Sequence, residues 1–519
     1  DEVMAWVSTV EDTLPEQMHP MASMIVSQLL GMAQRLDELG LGYLSLDRAG
    51  STLSTGERQR VQLARAVRNQ TTGVLYVLDE PSIGLHPSNI EGLIGVIRDL
   101  LRDGNSVVLV DHDVQVLREA DWLIEIGPGS GAEGGEIIAS SPLSELAGNP
   151  RSRIAGFIDG SQDTPVRTLT PASDMFALGS IHLRTAGLHT VHALELNIPK
   201  GRLIAVTGVS GSGKTTLVLE SLVPALVAHA NGKSLPKHVT ALDAAGESRV
   251  SVVDASPIGV NVRSTVATYS GVLDDLRRVY AATPDAKRLG LKAGDFSYNT
   301  GRLRCPGCEG TGQISLDVQF LPDVDIVCPK CDGTRYSPEA DHIRRRPPAA
   351  DENDPGLTLP QLLAMTVGQA LTRVTDLKKV QTRLRLLADL GLSYLTLAEA
   401  TPALSGGEAQ RLKLSSDLDR DQHNTVFVLD EPSIGLHPLD IQVLLGVLQR
   451  LVNNGATVIV IEHDLDMIRN ADYLIDLGPG GGAAGGRIVA TGTSAEIAAT
   501  AHSSTGRYLS GKSPTRKVR

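Results

Sequence analysis

Apolar residues fall in short unbroken runs along the chain, and each run has about the length of one β-strand. These runs lie at 74–78, 107–110, 203–207, 426–429 and 458–461. An unbroken apolar run is typical of a strand that is covered on both faces. Between the runs, apolar positions at 21–38 have helical spacing, and 58–67 also has a helical pattern. Strands that alternate with helices predict an α/β fold with mainly parallel sheets.

The same motifs occur twice, and the second copy follows the first at a constant distance. Three motifs have two copies each, at 53–57 and 404–408, at 79–87 and 430–438, and at 110–113 and 461–464. The middle pair is one nonapeptide, Asp-Glu-Pro-Ser-Ile-Gly-Leu-His-Pro, in both places. The offsets are 405 − 54 = 351, 430 − 79 = 351 and 463 − 112 = 351. A constant offset over three motifs predicts two related halves in tandem.

A glycine-rich segment at 207–216 reads Thr-Gly-Val-Ser-Gly-Ser-Gly-Lys-Thr-Thr and follows an apolar run. A glycine-rich turn alone is usually only a turn, but strand, lysine, threonine and following helix together match a P-loop. Its backbone N–H groups and the positive helix end would hold the phosphates of ATP. Lys214 would reach the β- and γ-phosphates, and the Thr215 hydroxyl would bind Mg²⁺. The predicted nucleotide ligands are Gly208, Ser210, Gly211, Gly213, Lys214, Thr215 and Thr216.

The second copy carries acidic and histidine side chains at the ends of its apolar runs. Asp430 ends one run and Glu431 follows it, while His463 follows the next run. An aspartate there suits Mg²⁺ binding, and a neighbouring glutamate suits polarisation of the attacking water. A solvated pair at a strand end is the alternative, and the identical nonapeptide at Asp79 and Glu80 argues against it. A histidine at this place is often structural, but the spacing suits a γ-phosphate sensor.

The repeat also sets the expected domain boundaries. The counterpart of Lys214 would fall at 214 − 351 = −137, before Asp1, so we expect one complete half and one without its P-loop. The expected segments are a partial first half at 1–150, a linker at 151–180, a second half at 181–500, an inserted module at 256–400 and a basic flexible tail at 501–519.

Composition limits the class of protein. The chain has 519 residues, 21% of them charged and 41% hydrophobic, which suits several globular domains. No apolar run approaches the roughly 20 residues of a membrane span, and no signal peptide is visible, so we expect a cytoplasmic protein. The net charge of −12 means that any contact with DNA must come from a local basic patch.

All four cysteines lie in two Cys-x-x-Cys pairs. They are Cys305, Cys308, Cys328 and Cys331. Two such pairs at this distance suit a tetrahedral, closed and therefore structural Zn²⁺ site. Four free thiols or a redox pair are the alternatives.

Basic residues surround the cysteines and form a possible contact surface for phosphates, with a solvated surface as the equal alternative. They are Arg277, Arg278, Lys287, Arg288, Lys292, Arg302, Arg304, Lys330 and Arg335.

The second signature-like motif, Ser405-Gly-Gly-Glu408, resembles the signature of ABC ATPases. A zinc module between P-loop and signature resembles the UvrA family, the damage-sensing subunits of bacterial excision nucleases. Further similarities are Leu321-Pro-Asp-Val324, the repeated nonapeptide and the segments at 256–259, 263–264 and 267–269. The resemblance extends from about residue 25 to about residue 495.

The resemblance implies a mechanism shared between the two halves. In ABC ATPases the signature of one half closes over the P-loop of the other, so Ser54, Gly56 and Glu57 would complete the site at Lys214. It further implies a homodimer that uses ATP to probe damaged double-stranded DNA, and a partner helicase of the UvrB type. No membrane partner is expected.

Two residues depart from the family pattern. Thr55 replaces the first glycine of the signature, and Ala255 replaces a glutamine that couples Mg²⁺ to the inserted module, although Ser256 could contribute. A related protein that confers resistance to DNA-binding drugs, and a nucleotide-binding scaffold with weak hydrolysis, therefore stay open. A nucleotide-binding subunit of a transporter is a third alternative, and the zinc module argues against it.

Overall fold

The computed structural model describes residues 2–53, 55–67, 72–129, 134–146, 148–162, 164–254, 256, 258–259, 261–316, 324–347, 354–418 and 422–511. Ser54, Ala255 and the first three residues of Leu321-Pro-Asp-Val324 lie outside this part. The chain divides into two compact units. The first comprises 1–125, 137–254 and 422–519, and the second comprises 126–136 and 255–421.

The elements before residue 255 belong almost entirely to the first unit. In chain order they are α1 (Glu2–Val10), α2 (His19–Glu38), α3 (Thr55–Val67), β1 (Leu75–Asp79), α4 (Pro87–Arg102), β2 (Ser106–Val110), α5 (Val114–Leu117), β3 (Trp122–Gly127), β4 (Glu136–Pro142), α6 (Leu143–Leu146), α7 (Ala155–Asp159), β5 (Ser180–Thr185), β6 (Leu194–Pro199), β7 (Leu203–Gly208), a π-helical segment (Thr216–Leu222), α8 (Val223–Ala230), β8 (Val239–Asp243) and β9 (Arg249–Val253).

The remaining elements complete both units. The second unit contains α9 (Val266–Tyr269), α10 (Val272–Ala281), α11 (Pro284–Arg288), β10 (Gln313–Leu316), β11 (Val324–Val327), β12 (Arg344–Arg345), β13 (Leu357–Thr358), α12 (Leu359–Leu363), α13 (Val367–Arg373), α14 (Lys378–Asp389) and α15 (Gly406–Asp417). The first unit resumes with β14 (Thr425–Asp430), α16 (Pro438–Asn453), β15 (Thr457–Ile461), α17 (Leu465–Arg469), β16 (Tyr473–Gly478), β17 (Arg487–Gly492), α18 (Ser494–Ala499) and α19 (Ser504–Leu509).

The predicted parallel sheet of the second half is present. Six strands are ordered β17-β16-β7-β15-β14-β9, and all neighbours are parallel except β17. Every residue of β7 and β15 is buried, as the unbroken apolar runs predict. A separate antiparallel sheet has the order β6-β5-β8. The P-loop therefore leaves the carboxyl end of a central strand.

The expectation of burial on both faces is wrong for the first-half strands β1 and β2. Helix α4 covers one face, where Tyr76 and Leu78 pack against its buried apolar side. The alternate residues point the other way, and Val77 is 66% exposed. In the six-stranded sheet of the second half, β7 lies between β15 and β16. In the first half, β1–β2 and β3–β4 form separate pairs. An apolar run shows that a strand could be buried on both faces. Among the described residues, only one face of these two strands is covered.

The segments expected to be a linker and a flexible tail are both ordered over part of their length. The expected linker at 151–180 contains α7, and Arg167 within it pairs with the buried Asp472. The expected flexible tail at 501–519 is wrong for its first part, because α19 is a docked helix with Thr505 fully buried. The sequence analysis missed this helix because its residues are mostly small or polar. Its burial depends on contacts with distant parts of the chain. No helix in the described part of the chain is long and apolar enough to cross a membrane.

The repeat provides a matched test of burial. Val428 on β14 is fully buried, whereas Val77 on β1, at 428 − 351 = 77, is 66% exposed. We expect Val428→Ala to lower the free energy of unfolding by about 2–3 kcal/mol, since two methyl groups leave a packed core. Val77→Ala should change it by less than about 0.5 kcal/mol. Urea denaturation of both variants measures the difference, and equal losses would contradict the assigned burial.

Candidate nucleotide site and cysteine cluster

The P-loop adopts a backbone that only glycine accommodates at its key positions. Gly208 has φ +136°, and a Cβ there would lie 2.1 Å from the Leu477 carbonyl oxygen. Gly213 has φ +97°, and its Cβ would lie 2.6 Å from Val191 Cγ2. Both positions combine the left-handed region with close packing, so any side chain would distort the loop.

Lys214 lies in the loop with its ammonium group turned toward the backbone. Its Nζ donates to the carbonyl oxygens of Gly208 at 2.9 Å and Val209 at 3.0 Å. Burial lowers the pKa of Lys214 to about 8, although the nearby Glu431 and Asp430 carboxylates act in the opposite direction. A cation held only by carbonyl oxygens in a buried loop would be better stabilised by phosphate oxygens.

The other predicted P-loop ligands differ in accessibility. Thr215 is exposed, Thr216 is buried, and Ser210 and Gly211 are half-buried. Two buried polar atoms nearby, Ser212 Oγ and His463 Nδ1, have no hydrogen-bond partner among the described residues. Buried polar groups without partners are costly, so their presence fits a site that takes a polar ligand.

Asp430 and Glu431 lie where β14 ends, and their backbone is unusual. Glu431 has φ +46°, and its copy Glu80 has φ +46° as well. A glutamate in the left-handed region costs on the order of 1 kcal/mol, and such strain concentrates at functional sites. The strain aims Glu431 at His463, whose Nε2 lies 3.2 Å from Glu431 Oε1.

The pKa values of these two carboxyl groups shift in opposite directions. Burial and the neighbouring Glu431 raise the pKa of Asp430 to about 6, with Lys214 acting against them. Burial would also raise the pKa of Glu431, but the hydrogen bond from His463 and the Lys214 charge outweigh it and hold that pKa below its usual value. Burial and Lys214 lower the pKa of His463, so its neutral ring donates to an ionised Glu431.

Residues of the first half reach the P-loop of the second. The ring of Tyr43 packs on Gly211, where a Cβ would lie 2.5 Å from Tyr43 Cγ. The Tyr43 hydroxyl donates to Glu57, and Gly56 lies in the same helix start against the Ile83 carbonyl oxygen. The structure therefore brings the predicted residues Gly56 and Glu57 to the face that meets the P-loop.

The loop after β1 approaches the Glu431 carboxylate of the other half. Gly84 has φ +65°, and a Cβ there would lie 3.2 Å from Glu431 Oε2. The reciprocal contact also exists, because a Cβ on Gly435 would lie 3.4 Å from Glu80 Oε1. His112 Nε2 lies 3.5 Å from Glu80 Oε1, and the corresponding distance from His463 to Glu431 is 3.2 Å. The two halves are thus related by approximate two-fold symmetry around these carboxylates.

The sequence analysis missed the tyrosine that precedes each signature. Tyr394 Oη donates to Glu408 Oε1 at 2.5 Å, which repeats the contact between Tyr43 and Glu57. The signal was available, because 394 − 43 = 351. In the second unit, Ser405 caps α15 by accepting from the Glu408 N–H at 3.3 Å. A tyrosine holds the signature glutamate in both copies.

The four cysteines converge in the second unit. All four sulfur atoms lie within 4.8 Å of one another. Cys305 Sγ is 4.0 Å from Cys328 Sγ, and Cys308 Sγ is 3.6 Å from Cys331 Sγ. A tetrahedral zinc site with bonds of about 2.3 Å requires sulfur atoms about 3.8 Å apart. The measured separations fit this geometry.

Backbone donors stabilise thiolates at this cluster. The Gly307 N–H donates to Cys305 Sγ at 3.4 Å, and the Gly312 N–H donates to Cys308 Sγ at 3.3 Å. Burial would raise the pKa of Cys308, but the Gly312 and Gly310 N–H groups and the neighbouring Cys331 and Cys305 thiols lower it to about 7. Burial and the neighbouring thiols raise the pKa of Cys331, so the two thiols share one titration. The residues present therefore fit a tetrahedral Zn²⁺ ion.

The basic residues near the cysteines do not all face solvent. Arg335 is buried, with its guanidinium over the Tyr298 ring at 5.4 Å. Arg304 donates to the Asn299 carbonyl oxygen at 3.2 Å. Arg277, Arg278 and Arg288 pair with aspartates on their own helices. The exposed members without an ion pair to any described residue are Lys287, Lys292, Arg302 and Lys330.

Comparison with known proteins gives a consistent set of relatives. The chain is 41% identical over 512 residues to UvrABC system protein A of Thermus thermophilus, a match over 98% of this chain and 52% of the relative. It is 43% identical over 502 residues to UvrABC system protein A of Bacillus subtilis. The chain thus spans about half the length of the curated relatives it matches. No family model matches the chain.

Solved structures give the same result for the fold. The crystal structure of UvrA2 from Deinococcus radiodurans is similar, with a TM-score of 0.88 and 39% sequence identity. The similarity covers 98% of this chain and 62% of that one. A TM-score this high means that the two folds agree over nearly the whole chain described here.

Proposed function

This chain belongs to the UvrA family of ABC-type ATPases, and from that premise we propose that it is an ATP-hydrolysing, DNA-damage-recognition component of bacterial excision repair. The observation that carries the proposal is the contact of two first-half residues with the second half: Tyr43, which holds Glu57, packs on Gly211, and Gly84 lies against Glu431. A P-loop faced by a signature from the other half is the arrangement that an ABC ATPase needs.

Each residue of this composite site has a proposed role. The P-loop amides and Lys214 bind the phosphates, while Thr215 and Asp430 hold Mg²⁺, which offsets the phosphate charge. Glu431 accepts a proton from the attacking water, which suits its ionised state and its hydrogen bond to His463. Neutral His463 orients Glu431 and senses the γ-phosphate. Ser54, Gly56 and Glu57 close the site from the first half.

The cysteine cluster and its surroundings supply the proposed DNA contact. Zn²⁺ held by Cys305, Cys308, Cys328 and Cys331 would fix the two knuckles. Arg302 and Lys330 are exposed beside them, and the stem of Lys330 lies over Gly307. These cations would contact the phosphates of damaged double-stranded DNA, which a homodimer would hold. We further propose a cytoplasmic location and transfer of the lesion to a helicase of the UvrB type.

ATP turnover should depend on the second-half glutamate and not on its first-half copy. We expect Lys214→Ala to abolish ATP hydrolysis, since the phosphates lose their buried cation. Glu431→Gln should lower kcat at least about a hundredfold, since water loses its base. The matched control is Glu80→Gln, which faces no P-loop among the described residues and should change kcat less than about threefold. Steady-state phosphate release measures all three.

Two outcomes would contradict this assignment of roles. Equal losses for Glu80→Gln and Glu431→Gln would mean that the site is not confined to the second-half P-loop. Wild-type turnover that is no faster than that of Glu431→Gln would favour the nucleotide-binding scaffold instead.

Zinc content tests the metal proposal. We expect one zinc ion per chain by atomic emission, because the four thiols fit one tetrahedral ion. Cys308→Ser should lose the metal and destabilise the second unit, whereas Ser315→Ala on neighbouring β10 should keep it. A metal-free native protein with four readily titrated thiols would rule the site out.

Charge reversal tests the DNA surface. We expect Arg302→Glu with Lys330→Glu to weaken binding to duplex DNA by about tenfold at low salt and to reduce its salt dependence. Arg102→Glu, an exposed cation of α4, is the control and should change affinity less than twofold, about the scatter for a remote charge. Fluorescence anisotropy gives affinity and light scattering gives the number of chains per duplex. Unchanged affinity in the double variant would place the DNA elsewhere.

A further inference from the structure

A buried hydroxyl on α19 connects three parts of the first unit. Thr505 Oγ1 lies 2.8 Å from Asp476 Oδ1 on β16 and 3.1 Å from Thr207 Oγ1 on β7. It also lies 3.2 Å from Nε2 of His86, which is 419 residues away in sequence. Thr207, Thr505 and His86 are fully buried, and Asp476 is 2% exposed. We call these four side chains the Thr505 network.

The direction of every hydrogen bond in this network follows from chemistry. His86 Nδ1 lies 3.2 Å from the Ser88 N–H and 2.8 Å from the Ser88 hydroxyl. The N–H can only donate, so Nδ1 accepts and the ring proton is on Nε2. His86 Nε2–H therefore donates to Thr505 Oγ1. A carboxylate only accepts, so Thr505 donates to Asp476, and its remaining lone pair accepts from the Thr207 hydroxyl. One hydroxyl thus makes three bonds, and each has a fixed direction.

The network lies next to both parts of the proposed catalytic site. Thr207 immediately precedes Gly208 of the P-loop. The ring of His86 stands edge-on to the ring of His463, with centroids 6.1 Å apart, and His463 holds Glu431. His86 belongs to the first half, two residues after Gly84, which approaches Glu431. The position of the His86 ring therefore affects the packing of the His463–Glu431 pair.

The first half has the same helix without the hydroxyl. Helix α7 is the copy of α19, and Ile154 stands where Thr505 does, because 505 − 351 = 154. Phe157 is the copy of Tyr508 and contacts His437 edge-on, as Tyr508 contacts His86. The serine-to-acid bond is kept, since Ser152 Oγ donates to Glu125 at 2.5 Å and Ser503 Oγ donates to Asp476 at 2.6 Å. The Thr505 hydroxyl is the part found only beside the P-loop.

We propose that Thr505 is a positioning residue for ATP hydrolysis, tying the first-half loop that carries Gly84 and His86 to the P-loop strand of the second half. It acts through His86 on His463 and touches neither nucleotide nor water itself. This inference rests on the ATPase function proposed above and adds a connection that α19 supplies. Without the hydroxyl, the His86 ring loses its only acceptor in the network and no longer fixes His463.

The test removes the hydroxyl and keeps the shape. In Thr505→Val we expect kcat for ATP to fall about tenfold, while KM changes less than about twofold, because the phosphate ligands are untouched. Thr505→Ser keeps the hydroxyl and should retain kcat within about twofold. Tyr508→Phe is the matched control, because it removes the bond of 2.8 Å to Glu91 from the same helix and leaves the four-residue network intact.

Hydrogen exchange provides a readout independent of turnover. The ring that Thr505 fixes accepts from the Ser88 N–H at the start of α4, so Thr505→Val should speed amide exchange in the segment 86–93 at least about fivefold. Tyr508→Phe should leave the exchange of the first amides of this segment unchanged.

The outcomes separate this inference from the proposed function. A wild-type chain that hydrolyses no ATP would overturn the function. Amide exchange at 86–93 would then test only the link from Thr505 to His86. An active wild type with equal kcat in Thr505→Val would overturn the inference and leave the function standing. A tenfold loss in Thr505→Ser as well would show that the hydroxyl alone does not sustain turnover, which also overturns the inference.

Discussion

The approach of Gly84 to the Glu431 carboxylate is the constraint on which the nucleotide site depends. A Cβ at Gly84 would lie 3.2 Å from Glu431 Oε2, and the residue has φ +65°, so glycine satisfies both backbone and space. Through this contact a loop of the first half reaches the Glu431 carboxylate of the second. Tyr43, Glu57 and His86 come to the same surface because they belong to elements around that loop. The reciprocal contact of Gly435 with Glu80 repeats the arrangement about an approximate two-fold axis.

The two copies of the acidic motif have the same backbone conformation but different chemical surroundings. Glu80 and Glu431 share a strained φ of +46° and a histidine partner. Only Glu431 is accompanied by a P-loop lysine among the described residues, and that charge helps to keep its pKa low. The same asymmetry appears in burial, since β14 is enclosed while alternate residues of β1 are exposed. In the function proposed above, the second half would supply the reacting groups, and the first half the surface that positions them.

The cysteine cluster concerns the stability of the second unit. The four buried cysteines have Ile314 of β10 packed against them, which is little apolar surface, so a bound metal ion would add stabilisation there. Arg335 is buried, and its guanidinium lies over the Tyr298 ring. Arg302 and Lys330 are exposed and are the proposed phosphate contacts. One basic stretch of sequence thus contains both buried and exposed cations.

The sequence by itself determined the repeat, the P-loop, the acidic and histidine motifs and the four-cysteine set, because each depends on local spacing and residue chemistry. It also predicted β7, β14 and β15 correctly, since their apolar runs match burial on both faces. It failed for the exposed faces of β1 and β2 and for α19, because burial depends on what covers an element. Tyr43 was within its reach through the offset of 351 residues. The bond between His86 and Thr505 was not, since 419 residues separate them and only the packed fold brings their polar atoms within 3.2 Å.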